Sequence, residues 1–462
     1  MFTVQEILEA TSGRLIQGNI NSKMKGISID SRTIESGELF IAIAGKTFDG
    51  HNFINETIKK SSIGAIVSKI KKSHYPKNYN LIYVKDTVKA LGAIAKFYRK
   101  KFNIPIIAIT GSCGKTTTKE MAGEILKTKY NVLKTQGTQN NQISIPLTLL
   151  RLNRKYQIAV LEFGTNHFGE IRYLSEVSQP NIGIFTNIGP SHLEFFKNPS
   201  SVFREKFDLA RYLMNTGGTI IYNNDDRFLK KINRKKRYFH TYTFGANNKS
   251  NFQFRSMKIV HNSLKFLLNN RFSVKLNTPA QHNVYNALAA ITCARIFNMS
   301  FSTIVGALSK FKFPKMRMKI EKIGSVHIID DSYNSNPLSL ENALKTIVSY
   351  DSGGRRILVC ADMLELGRDS EKLHFSLGRK MSMYNIDILI TVGKLSHFFS
   401  KGAKSITNSK ILTYDFNSRE ETIDKLLNLI QPHDIILVKG SRLMKLETIT
   451  DALRQFLKKK RS

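Results

Sequence analysis

The 462-residue chain is longer than one ordinary hydrophobic core supports, so two to four domains are expected. Hydrophobic residues at 41% and aromatics at 10% exclude a disordered chain, and three scattered cysteines (Cys113, Cys293, Cys360) exclude a disulfide framework or zinc cage. The formal charge of +36 admits a nucleic-acid partner, yet the basic residues run along the whole chain beside many Asn and Ile, which favours a solvated surface that attracts anionic substrates.

The N-terminal "MFTVQEILEATSGRL" shows no basic head before an apolar core, and no apolar run approaches the roughly 20 residues of a membrane span. A soluble, cytoplasmic monomer with no membrane insertion and no nucleic acid is expected. Residues 1–84 mix short strands and helices, with turn chemistry at Ser36-Gly37 and Asp49-Gly50. A helical pattern over 87–101 puts Val88, Leu91, Ile94, Ala95 and Tyr98 on one face. Across 85–313, strand-like runs at 106–110, 158–162, 182–187 and 219–223 alternate with helical patterns, and 250–276 reads as a β-rich insertion. Residues 314–462 repeat the alternation in "SVHIIDD", "RRILVCAD", "DILITVG" and "DIILVKG". The expectation is an α/β protein of three domains: a small α/β domain (1–84), a central parallel-sheet domain (85–313) and a doubly wound, Rossmann-like domain (314–462).

The stretch "IIAITGSCGKTTTKE" (106–120) places a Gly-rich turn between a strand and a helix. Backbone N–H groups of Gly111, Ser112, Cys113, Gly114, Lys115 and Thr116 are expected to form an anion nest, which Thr117 extends. Lys115 would reach the β- and γ-phosphates of ATP, and the Thr116 hydroxyl would ligate Mg²⁺. Ile109 stands where longer phosphate loops carry their first Gly, so this loop is a short variant. Cys113 reads as a space-filling loop residue.

Together, "AITGSCGKTTTKEM", "LEFGTNHFGEI", "TNIGPSHLEFF", "TPAQHNVYNALAA", "DDSYNSNP" and "LVKGSR" resemble the Mur ligase family, whose members share the short loop and extend the peptide of the bacterial cell-wall precursor. "SIDSRTIESGELFIAIAGKTFDGHNF" (28–53) is similar to the uridine-diphosphate-binding domain of two of its members. The absence of a DNPR-type signature, with "ADMLELG" (361–367) and "TQGTQNNQISIPLTLL" (135–150), favours the member that joins D-Ala-D-Ala to UDP-N-acetylmuramoyl-tripeptide. Whether the third peptide residue is meso-diaminopimelate or lysine stays open.

The resemblance implies that the tripeptide carboxylate takes the γ-phosphoryl group, and that the D-Ala-D-Ala amine then displaces phosphate. It assigns Glu162, with Thr116, to Mg²⁺ and His192 to a second Mg²⁺. Lys206 aligns with a lysine that is carbamylated in several members, although Phe207-Asp208 replace the usual Gly-Glu. Asn283 is assigned to the nucleotide base, beside the alternative of a helix N-cap. Arg317 is assigned to the phosphates, and Asp331 to ATP or the surroundings of Lys115. Asn334 and Asn336, with Tyr333, are candidates for the ribose or dipeptide; a strand-to-helix turn before Pro337 uses the same residue types. Ser31, Arg32 and His51 match positions for the UDP-sugar, and Asn140 and Asn141 of the "GTQNN" turn should meet the tripeptide, with Thr138 a departure from the family pattern. The alternatives are a diamino-acid-adding relative, a folate polyglutamate ligase, a non-catalytic homologue and, from another class, a basic nucleic-acid-binding NTPase.

Overall fold

The computed structural model describes residues 2–45, 47–70, 75–235, 239–350 and 353–460. The first sheet runs in the order Arg14–Gln17, Asn80–Tyr83, Gly64–Val67, Glu38–Ile41, Gly26–Ser28, antiparallel at the first pair and parallel thereafter. Helix Val4–Thr11 opens with a capping box: Thr3 accepts from the Glu6 N–H, and Glu6 accepts from that of Thr3. Its Val4 and Ile7 join the core that helix Thr87–Arg99 shares with the central sheet.

Nine strands make the central sheet. Its inner strand, Ile106–Thr110, lies parallel between Ile158–Glu162 and Ile182–Phe185. Ile107 and Ile109 pack with Met121 and Ile125 of helix Lys115–Leu126 and Val284 of helix Asn283–Ile296. Ile106 and Ala108 pack with Leu91 and Ile94 on the other face. Burial on both faces explains why the strand is apolar without alternation. The expected strand over 182–187 stops at Phe185, because Thr186 and Asn187 turn to bond the Gly-rich loop.

Residues 250–276 are no separate insertion. Phe252–Val260, Ser263–Leu268 and Phe272–Leu276 extend the same sheet as an antiparallel meander, joined to it through His240–Gly245. His240–Gly245 and the three-residue Val132–Lys134 escaped the sequence reading, the first for its polar alternation and the second for its length.

The last sheet is ordered Lys319–Ile323, Val326–Asp330, Ile435–Lys439, Arg356–Ala361, Ile388–Val392, Leu412–Phe416. It is parallel except for the edge hairpin that turns at Gly324 (φ 62°). The carboxyl ends of Ile158–Glu162 and Ile435–Lys439 open on one shared cleft of about 450 Å³, where open α/β sheets gather ligands. Among the described residues no helix is long and apolar enough to cross a membrane.

Candidate functional site

Gly114 takes φ 82° immediately before helix Lys115–Leu126, whose first turn carries no side-chain cap. A Cβ there would lie 2.2 Å from Asn286 Oδ1, so the loop requires glycine. The nest is narrower than expected. The Ser112 N–H donates to Asn187 O (2.9 Å) and the Cys113 N–H to Asn187 Oδ1 (2.9 Å), which leaves the helix-end N–H groups from Gly114 onward for an anion. Lys115 Nζ donates to Gly111 O (2.9 Å), and burial pushes its pKa below the usual lysine range. Burial also raises the Cys113 thiol, whose S–H donates to Asn336 Oδ1 (3.3 Å), consistent with a space-filling role.

Glu162 is 1% exposed at the end of its strand. Its Oε1 accepts from Asn140 Nδ2 at 2.9 Å, while its buried Oε2 has no hydrogen-bond donor. An unsatisfied carboxylate oxygen in a phosphate cleft suits a hard cation. The nearest ammonium, Lys119 Nζ, stands 3.9 Å off and donates instead to Thr135 O (2.9 Å) and Gly137 O (2.5 Å). Lys119 thus ties the phosphate helix to the "GTQNN" turn, a role hidden in a "TTTKE" stretch that reads as helix surface. Asn141 accepts from the Ile143 and Ser144 N–H groups and so shapes the same turn.

His192 adopts a left-handed conformation (φ 52°), and its Nδ1 donates to Glu365 Oε2 (2.5 Å) from the last domain. This bond lowers the Glu365 pKa and leaves His192 Nε2 for a ligand, as carboxylate–histidine–metal arrangements do. Lys206 is buried in helix Pro199–Thr216, and among the described residues no carboxylate forms an ion pair with it. Burial, with the Lys115 charge nearby, depresses its pKa to about 7. Asp208, at one departure from the family pattern, instead pairs with Arg211.

Arg317 Nη2 donates to Thr116 Oγ1 (3.2 Å), which carries the last domain onto the phosphate loop. Asp331 lines the same cleft as Lys115; its Oδ2 accepts from Lys439 Nζ (2.5 Å) and its Oδ1 from the Met318 N–H (3.1 Å), so its carboxylate also braces the segment holding Arg317. Asn334 Oδ1 accepts from the Ser335 N–H of its own turn. Asn336 caps helix Pro337–Ser349 in a box with Ser339. Asn336→Ala is therefore expected to destabilise the protein by about 1 kcal/mol in urea unfolding. Asn283 is not the N-cap of its helix; His282 holds that place, and Asn283 Oδ1 accepts from Asn286 Nδ2 (2.9 Å). His282 Nδ1 is buried in the cleft without a partner, and burial lowers its pKa to about 4, so the ring is neutral.

Ser31, Arg32 and His51 do not line this cleft. Ser31 Oγ donates to Glu56 (3.1 Å), and Arg32 is held by Asp30, whose carboxyl drops to about 2 under that contact. His51 Nδ1 donates to Asp49 (2.6 Å) and Nε2 accepts from the Ser68 N–H (3.0 Å), so both ring nitrogens have partners within the protein. Lys119, Glu365 and Lys439 were missed because their partners lie elsewhere along the chain, and His282 because nothing in its sequence neighbours marks it as lining the cleft.

Three family models match the chain: "Mur ligase family, catalytic domain" over 23–99, "Mur ligase middle domain" over 109–294 and "Mur ligase, glutamate ligase domain" over 316–442. The UDP-N-acetylmuramoyl-tripeptide–D-alanyl-D-alanine ligase of Bacillus subtilis is 34% identical over 98% of both chains. Among solved structures, MurF from Acinetobacter baumannii is 32% identical with a TM-score of 0.90, covering 98% of this chain and 99% of that one. MurF ligase from Thermotoga maritima in complex with ADP is 25% identical with a TM-score of 0.84, covering 95% and 99%.

Proposed function

The chain belongs to the Mur ligase family, and from that premise we propose that it joins D-alanyl-D-alanine to UDP-N-acetylmuramoyl-tripeptide in peptidoglycan precursor synthesis, converting ATP to ADP and phosphate. The observation that carries this reading is the Arg317–Thr116 contact, which seats the last domain on the phosphate loop of the central one. An amine held by one domain then meets a phosphorylated carboxylate held by the other.

A free carboxylate lacks a good leaving group. Its oxygen attacks the γ-phosphorus, the bond to the β-phosphate oxygen breaks, and ADP departs. The amine of the dipeptide, in its neutral form, attacks the acyl carbon; the bond from that carbon to the phosphate oxygen breaks, inorganic phosphate leaves with the electron pair, and the nitrogen releases a proton as the amide forms. Both steps gather anions, so positioning and fixed charge supply most of the acceleration. The helix-end N–H groups and Lys115 would hold the β- and γ-phosphates, Arg317 would neutralise them from the opposite wall, and Asn283 would face the base.

Thr116, Glu162 and His192 fit Mg²⁺, because one buried Glu162 oxygen has no donor and His192 keeps Nε2 free. When bound, Mg²⁺ supplies charge neutralisation at the transferring phosphoryl group. Lys206 has the neutral amine that carbamylation needs, since a lone pair must attack CO₂ and release a proton. A cytoplasmic monomer is the proposed working form.

The test is phosphate release from ATP with UDP-muramoyl tripeptide and either D-Ala-D-Ala, meso-diaminopimelate or neither. Release that requires both tripeptide and D-Ala-D-Ala supports the reading. Release with the shorter peptide precursor and a diamino acid would assign the preceding step instead.

A further inference from the structure

An incoming dipeptide brings a carboxylate as well as its reacting amine, and that charge needs a cation beyond the phosphate site. Asn334 and Asn336, the residues expected to meet the dipeptide, are engaged in a turn and a helix cap. Lys439 is closed off between Asp331 Oδ2 (2.5 Å) and Asn334 O (2.9 Å).

Two guanidinium groups lie over the ring of Tyr333: Arg317 at 4.1 Å from the centroid and Arg442 at 5.7 Å. Arg317 faces the phosphate loop through Thr116. The Tyr333 hydroxyl donates to Thr138 Oγ1 of the "GTQNN" turn, which fixes the ring between the domains. Arg442 follows strand Ile435–Lys439, and its Nη1 donates to Glu447 Oε1 (2.8 Å). That bond orients the guanidinium through Nη1 while 49% of the side chain stays exposed.

We propose that Arg442 binds the carboxylate of the incoming dipeptide; this rests on the ligase reading above. Its planar fork matches a carboxylate through two parallel N–H···O bonds. An extended dipeptide spans about 7 Å, and Arg317 and Arg442 share the Tyr333 ring, so an amine at the acyl phosphate beside Arg317 leaves its carboxylate to Arg442. A single amino acid is about half as long and spans less of the path between them. Arg442 therefore reads the length of the nucleophile as well as its charge.

The experiment measures KM for D-Ala-D-Ala and for its C-terminal amide in wild type, Arg442→Lys and Arg442→Ala. Wild type should prefer the free carboxylate. Arg442→Ala should raise the KM for D-Ala-D-Ala roughly 10-fold or more, erase the preference over the amide, and leave the KM values for ATP and tripeptide unchanged. Arg442→Lys should retain part of the preference. Full carboxylate preference in Arg442→Ala would overturn the assignment while leaving the ligase reaction standing. A wild-type protein that makes no product from D-Ala-D-Ala would overturn both.

Discussion

Lys115→Ala should lower tripeptide-dependent phosphate release roughly 1,000-fold, the scale at which a single charge aimed at a transferring phosphoryl group acts. In the structure this ammonium is desolvated, its pKa is lowered by burial, and its single hydrogen bond goes to the Gly111 carbonyl. It bears a charge that the fold itself does not use, and the natural remedy is a phosphate. The sign of the stability effect follows. Because the folded-state pKa lies below the ordinary lysine value, the protonated residue disfavours folding at neutral pH, and that penalty declines as pH rises through the lowered pKa. Lys115→Ala should consequently melt no lower than wild type at pH 7 without nucleotide, while ATP should stabilise wild type far more than the variant. Thermal melts with and without ATP, run beside the phosphate assay, test both halves. A variant that keeps more than a tenth of the activity would remove Lys115 from the phosphates.

The parts of this molecule that were legible in sequence are those in which local chemistry and tertiary role coincide. Ile106–Thr110 is apolar throughout because both faces are covered, and Gly114 sits where only glycine tolerates the turn against Asn286. Glu162 was readable because a charged residue ends an otherwise apolar strand. The rest depended on partners that sequence spacing does not reveal. Lys119 sits in a helical stretch like any solvated lysine, yet it is fully buried on two carbonyls of the 135–137 segment. His192 finds its carboxylate at Glu365 and Tyr333 its hydroxyl partner at Thr138, each across most of two domains. Arg32 is the converse case. A guanidinium in a phosphate-binding pattern reads as a ligand clamp, while an aspartate two residues away already holds it. Asn336 and Asp331 are subtler, because capping and bracing demand the same polar residues as ligand binding does.

Lys206→Met should separate stability from activity more sharply than any other substitution. Lys206 is 2% exposed, has no ion-pair partner among the described residues, and its pKa falls to about 7, with burial the main cause and the Lys115 charge a further one. Between pH 7 and 10.5 the unfolded chain binds a proton at this position that the folded chain lacks, so wild-type stability rises with pH across that window. Below about pH 7 the folded protein must keep the charge buried, and the penalty is at its full size. Methionine has similar length and no charge, so the variant should be more stable than wild type by on the order of 2 kcal/mol at pH 7 in bicarbonate-free buffer. That advantage should shrink steadily towards pH 10. A carboxylate formed on the Lys206 nitrogen would answer the unpaired charge beside Lys115 and convert the liability into an acceptor for the site. Bicarbonate should accordingly raise both the melting temperature and the turnover of wild type and leave Lys206→Met unmoved, with turnover of the variant about 100-fold lower. Urea unfolding across this pH range, with and without bicarbonate, supplies the measurement. A Lys206→Met protein that is less stable at every pH, and as active as wild type, would make Lys206 a packing residue and nothing more.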